Sequence, residues 1–190
     1  MLKLYGGTFS RASIVEWYLN EIEVLYEFVT LDMKAGQHRQ DNFLRINPIG
    51  KVPTLVDDKV TLSESGGILL YLADKHQQLP ASPEARGKLY QWVLFANSTL
   101  GEGLFNDALR EKQMPQLLWP LDDLLKTQPY LVGDSFTVAD VAVGAVVGFA
   151  TQTLKLDLSA YLALLSYAQR LGDRPAFKEA MAPKAQPPKA

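Results

Sequence analysis

Hydroxyl side chains follow the first strand-like segment of the chain, in the turn at residues 6–10, GGTFS. Apolar residues recur at helical spacing after this turn, so Ser10 stands at a helix N-terminus. Its hydroxyl can cap the helix by accepting a hydrogen bond from a backbone N–H, or it can donate to a ligand anion held against the positive end of the helix dipole. Arg11 adds a positive charge beside it. Local sequence favours capping and leaves anion binding open.

A second candidate binding stretch covers residues 47–55, NPIGKVPTL. Its two prolines and its glycine indicate a stiff turn before a short strand, and Pro53 is a candidate cis proline although only about 5–6% of X–Pro bonds in folded proteins are cis. A cis bond at Val52-Pro53 would turn the Val52 backbone outward. There it could pair with an extended peptide ligand through main-chain hydrogen bonds.

A third candidate stretch, Ser63-Glu64-Ser65, precedes an apolar helical run. Ser63 is well placed as the N-cap of that helix, and an acidic residue in a first turn is common. The same residues could also bind a ligand. Ser65 and the free amides of the turn could hold a carboxylate, and Glu64 could hold an ammonium group.

The chain contains no cysteine, which removes every protein thiol from consideration. Thiol chemistry would therefore need a thiol supplied by a ligand. The two histidines, His38 and His76, lie far apart, and no carboxylates accompany them at a metal-ligand spacing. We expect no metal site and no permanently bound cofactor.

The composition is that of an ordinary globular protein: 190 residues, 47% hydrophobic, with 19 basic and 21 acidic residues interleaved to a formal net charge of -2. No like-charged block favours nucleic acid or an anionic membrane as a partner. The N-terminus lacks the apolar core of a signal peptide, and the longest apolar run is about half the length of a membrane-spanning helix. These features predict a soluble, cytoplasmic protein.

Two kinds of periodicity divide the chain. Strand-like and helix-like segments alternate over residues 1–76, in the order βαβ, a short helical or loop segment, ββ and α, which predicts an α/β domain. A connector without apolar periodicity follows. Residues 84–182 are predicted to form an all-α bundle, and the proline-containing tail at 183–190 is predicted to be disordered. The expected bundle helices lie at 84–108, 114–127, 137–151, 158–171 and 175–181.

These stretches together resemble the cytosolic glutathione transferase superfamily. Residues 3–6, KLYG, followed by Ser10, resemble its serine-type opening, and residues 47–53 resemble its cis-proline loop. Residues 63–65 resemble the segment that grips the γ-glutamyl end of glutathione. Residues 130–140, YLVGDSFTVAD, resemble the family's folding motif, in which Thr137 and Asp140 form a capping box. The likeness covers about residues 1–180 and leaves the class open, with compact bacterial members such as the cyanobacterial chi-like class among those it resembles.

The resemblance implies a thioredoxin-like α/β first domain, an all-α second domain, a cis peptide at Pro53 and reduced glutathione as co-substrate. It also implies where the parts of glutathione bind. The glycine carboxylate would be held by His38 and Lys51, the cysteinyl backbone would pair with Val52, and the γ-glutamyl group would be bound by Glu64 and Ser65.

By the same resemblance, Ser10 would donate a hydrogen bond to the glutathione sulfur. A free thiol has a pKa near 8.5, and a hydroxyl donor, the helix dipole and Arg11 would all favour the thiolate. The family's serine classes often carry proline beside the reactive residue, whereas Thr8 and Arg11 stand near Ser10 in this chain. The sulfur partner could therefore be Thr8, Ser10 or Ser13, of which Ser10 is our choice.

The implied activity is conjugation of glutathione to small hydrophobic electrophiles in detoxification, by a symmetric homodimer. The alternative is a noncatalytic module of the same fold that binds ligands or proteins. Because the chain lacks cysteine, it cannot belong to the branch that uses a protein thiol. Residues 97–114 look short and polar for a family that lines its electrophile pocket there, which implies an open pocket. Its candidate lining residues are Tyr5, Phe9, Phe105 and Trp119, although aromatic residues at such positions are more often core.

Overall fold

The structure, a computed structural model, describes residues 1–8 and 10–182. Its contacts divide the chain into two compact units. The first comprises Met1–Leu72 and the last described helix, and the second comprises Ala73–Arg174. The tail predicted to be disordered, 183–190, lies outside the described residues.

A four-stranded mixed sheet in the order β2-β1-β3-β4 forms the centre of the first unit. β1 pairs in parallel with β2, whereas the β1–β3 and β3–β4 pairs are antiparallel. The parallel pair requires a crossover connection, which α1 provides. This arrangement confirms the predicted βαβ unit followed by a hairpin. The strands are β1 Leu2–Gly6, β2 Tyr26–Thr30, β3 Thr54–Asp57 and β4 Val60–Ser63.

Helices cover this sheet, and the buried side chains of α1 include Val15 and Leu19. Trp17, also on α1 and fully buried, packs edge-to-face against Phe177 of the last helix, with ring centroids 4.8 Å apart. This contact places the last helix with the first unit, whereas its position in the sequence predicted it within the helical bundle. The helices concerned are α1 Ala12–Glu21, a 3-10 turn Gln37–Arg39, α2 Asp41–Leu44, α3 Ser65–Lys75 and α9 Pro175–Met181.

The second unit is helical, and its described residues contain no strand, as the sequence predicted. Segment 97–114, which looked short and polar, is helical almost throughout, and its first part continues the helix predicted over 84–108. It breaks at Asn106, which is extended and whose side chain accepts a hydrogen bond from Ala108 N at 3.1 Å, so that α6 begins well before Met114. The helices are α4 Pro83–Phe95, a π-helical segment Ala96–Leu100, α5 Gly101–Phe105, α6 Asp107–Leu125, α7 Val138–Gln152 and α8 Leu162–Gly172.

The predicted capping box at the start of α7 is present. The fully buried Asp140 carboxylate accepts hydrogen bonds from Thr137 N at 2.8 Å, Thr137 Oγ1 at 3.1 Å, Leu131 N at 2.9 Å and Tyr167 OH at 3.0 Å. These bonds tie the loop before α7, α7 itself and α8 together. Hydrogen bonds of this kind offset part of the cost of burying a carboxylate.

A second buried carboxylate, Asp122, joins α6 to α8. Its Oδ1 accepts a hydrogen bond from Leu164 N at 2.9 Å, and its Oδ2 lies 3.1 Å from Lys126 Nζ. The Leu164 amide belongs to the first turn of α8, where backbone N–H groups lack helical partners, so Asp122 satisfies one of them.

Candidate functional site

The register of the sheet brings the three sequence stretches to one end of it. Tyr5 of β1 lies opposite Thr54 of β3, and Thr54 lies opposite Ser63 of β4. β1 therefore ends, β3 begins and β4 ends on the same side. The turn after β1, the residues before β3 and those after β4 consequently lie next to one another, and we call this region the sheet-end corner.

Ser10 is half-buried in the turn after β1, and its Oγ accepts hydrogen bonds from Gly7 N at 3.0 Å and Ala12 N at 3.3 Å. The hydroxyl thus accepts from the first backbone N–H of α1, as expected for capping, although Arg11 is the residue immediately before the helix and its side chain makes no cap hydrogen bond. A hydroxyl has two acceptor positions and one donor, and Ser10 donates no hydrogen bond within the described residues. Its proton is available to a ligand, so capping and donation to an anion are compatible here.

The alternatives to Ser10 differ in how their hydroxyls are engaged. Ser13 Oγ already donates its proton to Ser10 O at 3.2 Å. Thr8 is half-buried and forms no hydrogen bond within the described residues. The Arg11 side chain is exposed at the start of α1 and makes no ion pair in the described part of the chain. The geometry favours Ser10 over Ser13 and leaves Thr8 open.

The peptide bond Val52-Pro53 is cis, as the resemblance implied. Val52 is half-buried and lies just before β3, and neither its N–H nor its C=O has a hydrogen-bond partner among the described residues. Pro53 is buried. An unpaired backbone N–H and C=O on one residue can add a short antiparallel pairing with an extended peptide.

The residues that hold this loop were not identified from the sequence. The buried Asn47 side chain donates to Lys51 O at 3.0 Å and to Thr54 Oγ1 at 2.9 Å, and it accepts from Ile49 N at 3.1 Å. Gly50 has φ +64°, and a Cβ there would lie 2.9 Å from a backbone carbonyl oxygen, so another residue would be strained. The sequence feature that could have indicated this role is an asparagine directly before a proline in a turn that contains glycine.

The segment after β4 differs from the prediction in one respect. Ser63 is the last residue of β4 and not a helix cap. Glu64 takes the position before α3, with its carbonyl accepting from Ile68 N at 3.0 Å and with φ +69°, a left-handed conformation that costs a non-glycine residue about 1–2 kcal/mol. Ser65 begins α3 and is buried, whereas the Glu64 side chain is exposed.

His38 lies in the 3-10 turn that follows β2, next to the loop before β3. Its carbonyl oxygen is the atom that a Cβ on Gly50 would meet. Its Nδ1 is buried and has no hydrogen-bond partner in the described residues. Lys51, one residue beyond Gly50, is exposed. An ammonium group such as that of Lys51 can bind a carboxylate, and an imidazole N–H can add a hydrogen bond to it.

The four aromatic residues considered for an apolar pocket have different surroundings. Tyr5 lines a pocket of about 220 Å³ in the first unit, together with Phe43, whose ring centroid is 5.7 Å away. Phe105 and Trp119 belong to the second unit, where each packs against another aromatic ring. Phe9 lies outside the described residues.

Other classes of site are not evident in the described part of the chain. It contains no group of three or more side chains arranged to hold a metal ion. None of its helices combines the length and the apolar character needed to cross a membrane.

Family profiles match most of the chain. The profile described as glutathione S-transferase, N-terminal domain, matches residues 1–74, and the profile described as glutathione S-transferase, C-terminal domain, matches residues 85–184. All the residues of the sheet-end corner fall within the first match.

Relatives agree with these profiles. The chain is 30% identical to the disulfide-bond oxidoreductase YfcG of Escherichia coli (strain K12), over 95% of this chain and 94% of that protein. A crystal structure of a glutathione transferase from Methylococcus capsulatus str. Bath is similar at a TM-score of 0.82 and 30% identity, over 95% of this chain and 97% of that one. A sphingomonad glutathione S-transferase complexed with glutathione is similar at a TM-score of 0.79 and 29% identity, over 94% and 96% of the two chains.

Proposed function

Because the chain belongs to the glutathione transferase superfamily, we propose that it transfers the thiolate of reduced glutathione to small hydrophobic electrophiles. The observation that carries this proposal is the sheet-end corner. A free hydroxyl proton on Ser10, an unpaired backbone at Val52 and the Glu64-Ser65 turn lie around one end of the sheet.

In the proposed complex, glutathione lies extended across this corner. His38 and Lys51 bind its glycine carboxylate, and the backbone of Val52 beside Pro53 pairs with its cysteinyl unit. Glu64 binds the ammonium group of the γ-glutamyl unit, and Ser65 binds its carboxylate. This orientation places the cysteinyl sulfur towards the start of α1.

The chemistry proposed for this site is thiol activation. Ser10 donates a hydrogen bond to the sulfur, which stabilises the thiolate over the thiol and lowers the thiol pKa from its free value of about 8.5. The dipole of α1 and the charge of Arg11 act in the same direction. Each unit of depression increases the thiolate fraction about tenfold while the thiolate is the minor form.

The thiolate then attacks the electrophilic carbon, and a carbon–sulfur bond forms. With a halonitroarene the carbon–halogen bond breaks and halide leaves. With an isothiocyanate or an unsaturated carbonyl nothing leaves, and the adduct takes up a proton. No protein nucleophile is required, in keeping with a chain that has no cysteine.

The test is calorimetric titration with reduced glutathione together with an absorbance assay for conjugation to a halonitroarene and an isothiocyanate. Saturable binding with turnover is the expected result. Binding without turnover would favour the alternative, a noncatalytic ligand- or protein-binding module. Absence of binding would contradict the proposed glutathione site.

A second candidate activity is disulfide reduction, which the similarity to the oxidoreductase YfcG favours. In this chain the attacking thiolate would have to be that of glutathione. It would displace one sulfur of the disulfide and form a mixed disulfide, and a second glutathione thiolate would release the other sulfur, giving oxidised glutathione and two thiols. Formation of oxidised glutathione when a small dialkyl disulfide is the substrate would distinguish this activity from conjugation.

Detoxification as the physiological role, a symmetric homodimer and a cytoplasmic location are further parts of the proposal. Two-fold dimers are the commonest oligomers of soluble proteins. Light scattering of the purified protein tests the dimer, since a mass close to that of one 21.1 kDa chain would contradict it.

A further inference from the structure

The loop before β3 is organised around one buried amide. Asn47 is 4% exposed, and both polar atoms of its side chain are engaged. Its Nδ2 donates to Lys51 O and to Thr54 Oγ1, and its Oδ1 accepts from Ile49 N. Its own backbone carbonyl accepts from Gly50 N at 2.9 Å, which closes a turn. Asn47 therefore contacts the loop on both sides of its bend.

Thr54 completes this network. It is fully buried, its Oγ1 accepts the Asn47 amide, and the same hydroxyl donates to Lys51 O at 2.8 Å. The Lys51 carbonyl thus receives two hydrogen bonds from side chains that the sheet and the turn hold in place. Both bonds immobilise the peptide unit that links Lys51 to Val52.

That peptide unit carries the N–H of Val52, which has no partner among the described residues. The N–H and C=O of Val52 would both pair with the ligand, and ordering them only on binding would cost free energy. The network restrains the Val52 N–H directly, because Lys51 O belongs to the same planar peptide unit.

We propose that Asn47 is a positioning residue for the peptide part of glutathione: through Lys51 O it orients the Val52 backbone that pairs with the ligand. This inference rests on the proposed glutathione site. Asn47 touches neither the sulfur nor its hydroxyl partner. Its loss should therefore weaken binding of glutathione and leave activation of the bound thiol unchanged.

The test compares Asn47→Asp with the wild type. Aspartate keeps the shape and the acceptor for Ile49 N, but its carboxylate cannot donate to Lys51 O or to Thr54. We expect Kd and KM for reduced glutathione to rise about tenfold, while KM for the electrophile and the pH dependence of kcat at saturating glutathione stay as in the wild type. Asn42→Asp, at an exposed asparagine of α2, is the matched control and should leave both constants unchanged.

A second pair of variants covers the case in which Asn47→Asp does not fold. Thr54→Val removes the hydroxyl and keeps the volume, whereas Thr54→Ser keeps the hydroxyl. Thr54→Val should raise the Kd for glutathione about threefold to tenfold, and Thr54→Ser should restore it. A merely structural role would lower the thermal midpoint of these variants without moving the Kd of the folded protein.

The outcomes separate this inference from the function on which it rests. If the wild type binds glutathione and the folded variants bind it equally well, Asn47 is not a positioning residue and the proposed function stands. If the Asn47 or Thr54 variants alter the pH dependence of kcat instead of the Kd, the inference is also wrong. If the wild type itself does not bind glutathione, the proposed function fails and the inference fails with it.

Discussion

The sheet-end corner and the Asp140 network are both clusters of polar groups, but they differ in whether those groups are satisfied internally. The buried Asp140 carboxylate receives four hydrogen bonds from within its own unit. In the corner, the half-buried Val52 backbone has no partner among the described residues, and in the 3-10 turn after β2 the buried Nδ1 of His38 has none either. Buried polar groups without partners cost free energy unless something binds them. This difference is what we expect if the closed network serves stability and the open corner binds glutathione, as proposed above.

Backbone conformation shows the same contrast. Thr137, which caps α7, has an extended conformation with φ -137°, as a capping residue normally does. Glu64, at the corresponding position before α3, has φ +69°. The two helices are therefore entered differently, but the left-handed conformation is not confined to the corner, since Glu23, Asp58, Gln77 and Lys155 also adopt it.

The largest expected effect comes from opening the closed network with Asp140→Ala. The amides of Leu131 and Thr137 and the hydroxyl of Tyr167 would lose their acceptor, so we expect the free energy of unfolding to fall by about 4 kcal/mol. Urea denaturation measures this change. Asp134→Ala, at an exposed aspartate of the same segment, should change stability by less than about 0.5 kcal/mol.

Titrating glutathione into the folded fraction of Asp140→Ala tests whether the Asp140 network and the sheet-end corner act separately. Every residue of the proposed glutathione site lies in the first unit, so the Kd should be unchanged. If the binding free energy of glutathione weakened by as much as the free energy of unfolding, the two clusters would not be separate in function.

Ser10→Ala should reverse the pattern of Asp140→Ala, with a large loss of activity and a small loss of stability. Removing one donor to the sulfur should lower kcat for conjugation about 100-fold, as loss of a single donor to a reacting anion does elsewhere. The free energy of unfolding should fall by only about 1 kcal/mol, because Ser10 also caps α1. Steady-state kinetics at saturating glutathione measure the first quantity, and Thr8→Ala and Ser13→Ala are the controls. Full turnover in Ser10→Ala would assign the sulfur to another hydroxyl.

The two buried carboxylates of the second unit should respond to pH in opposite senses. Burial raises the pKa of Asp140 above its ordinary value of 3.8, outweighing its hydrogen bonds. For Asp122, burial also pushes the pKa upward, but the hydrogen bond from Leu164 N and the contact with Lys126 outweigh it, and the pKa is lowered. The Asp122 contribution to stability is therefore present above pH 3.8 and lost as the pH falls through the folded pKa. The Asp140 contribution has the opposite pH dependence. It is present below pH 3.8 and is lost as the pH rises through the folded pKa.

Asp122→Asn and Asp140→Asn test this pair. The stability lost in Asp122→Asn should be about 1–2 kcal/mol at pH 7 and should shrink below pH 4. The stability lost in Asp140→Asn should grow over the same fall in pH. Urea midpoints from pH 7 to pH 3 give both slopes, with Asp134→Asn as the exposed control. Parallel slopes for the two variants would contradict the assigned directions.

The smallest expected effect is that of Arg11→Gln. The side chain is exposed, so its field at the sulfur is screened, and kcat should fall no more than about twofold at physiological salt. The difference should widen when the ionic strength is lowered. Rates for both proteins over a range of salt concentrations check this. A tenfold loss at physiological salt would instead make Arg11 a direct partner of the thiolate.

Local patterns were sufficient to predict much of the fold. Strand-like patterns of apolar residues predicted the strands of the first unit, and helical spacing predicted α1, α3 and the bundle. Thr137 and Asp140 predicted a capping box, which the structure contains. These features depend on residues close together in the sequence. The family resemblance added the cis bond at Pro53.

Features that depend on distant residues were not predicted. Trp17 and Phe177 pack together although they lie at opposite ends of the chain, and nothing local to α9 indicates that contact. Ser63 was expected to cap α3 because serine favours that position, but pairing with Thr54 keeps it in β4. The role of Asn47 required knowing where Lys51 O and Thr54 Oγ1 come to lie.

Ultraviolet absorbance of the thiolate, recorded as a function of pH for glutathione bound to the wild type and to Ser10→Ala, tests the open corner most directly. We expect the bound thiol to ionise at least one pH unit below its free value of about 8.5 in the wild type and near that value in Ser10→Ala. Asp140→Ala should match the wild type. A bound thiol that ionises near 8.5 in the wild type, or equally low in both proteins, would contradict the assignment of Ser10 as the group that activates it.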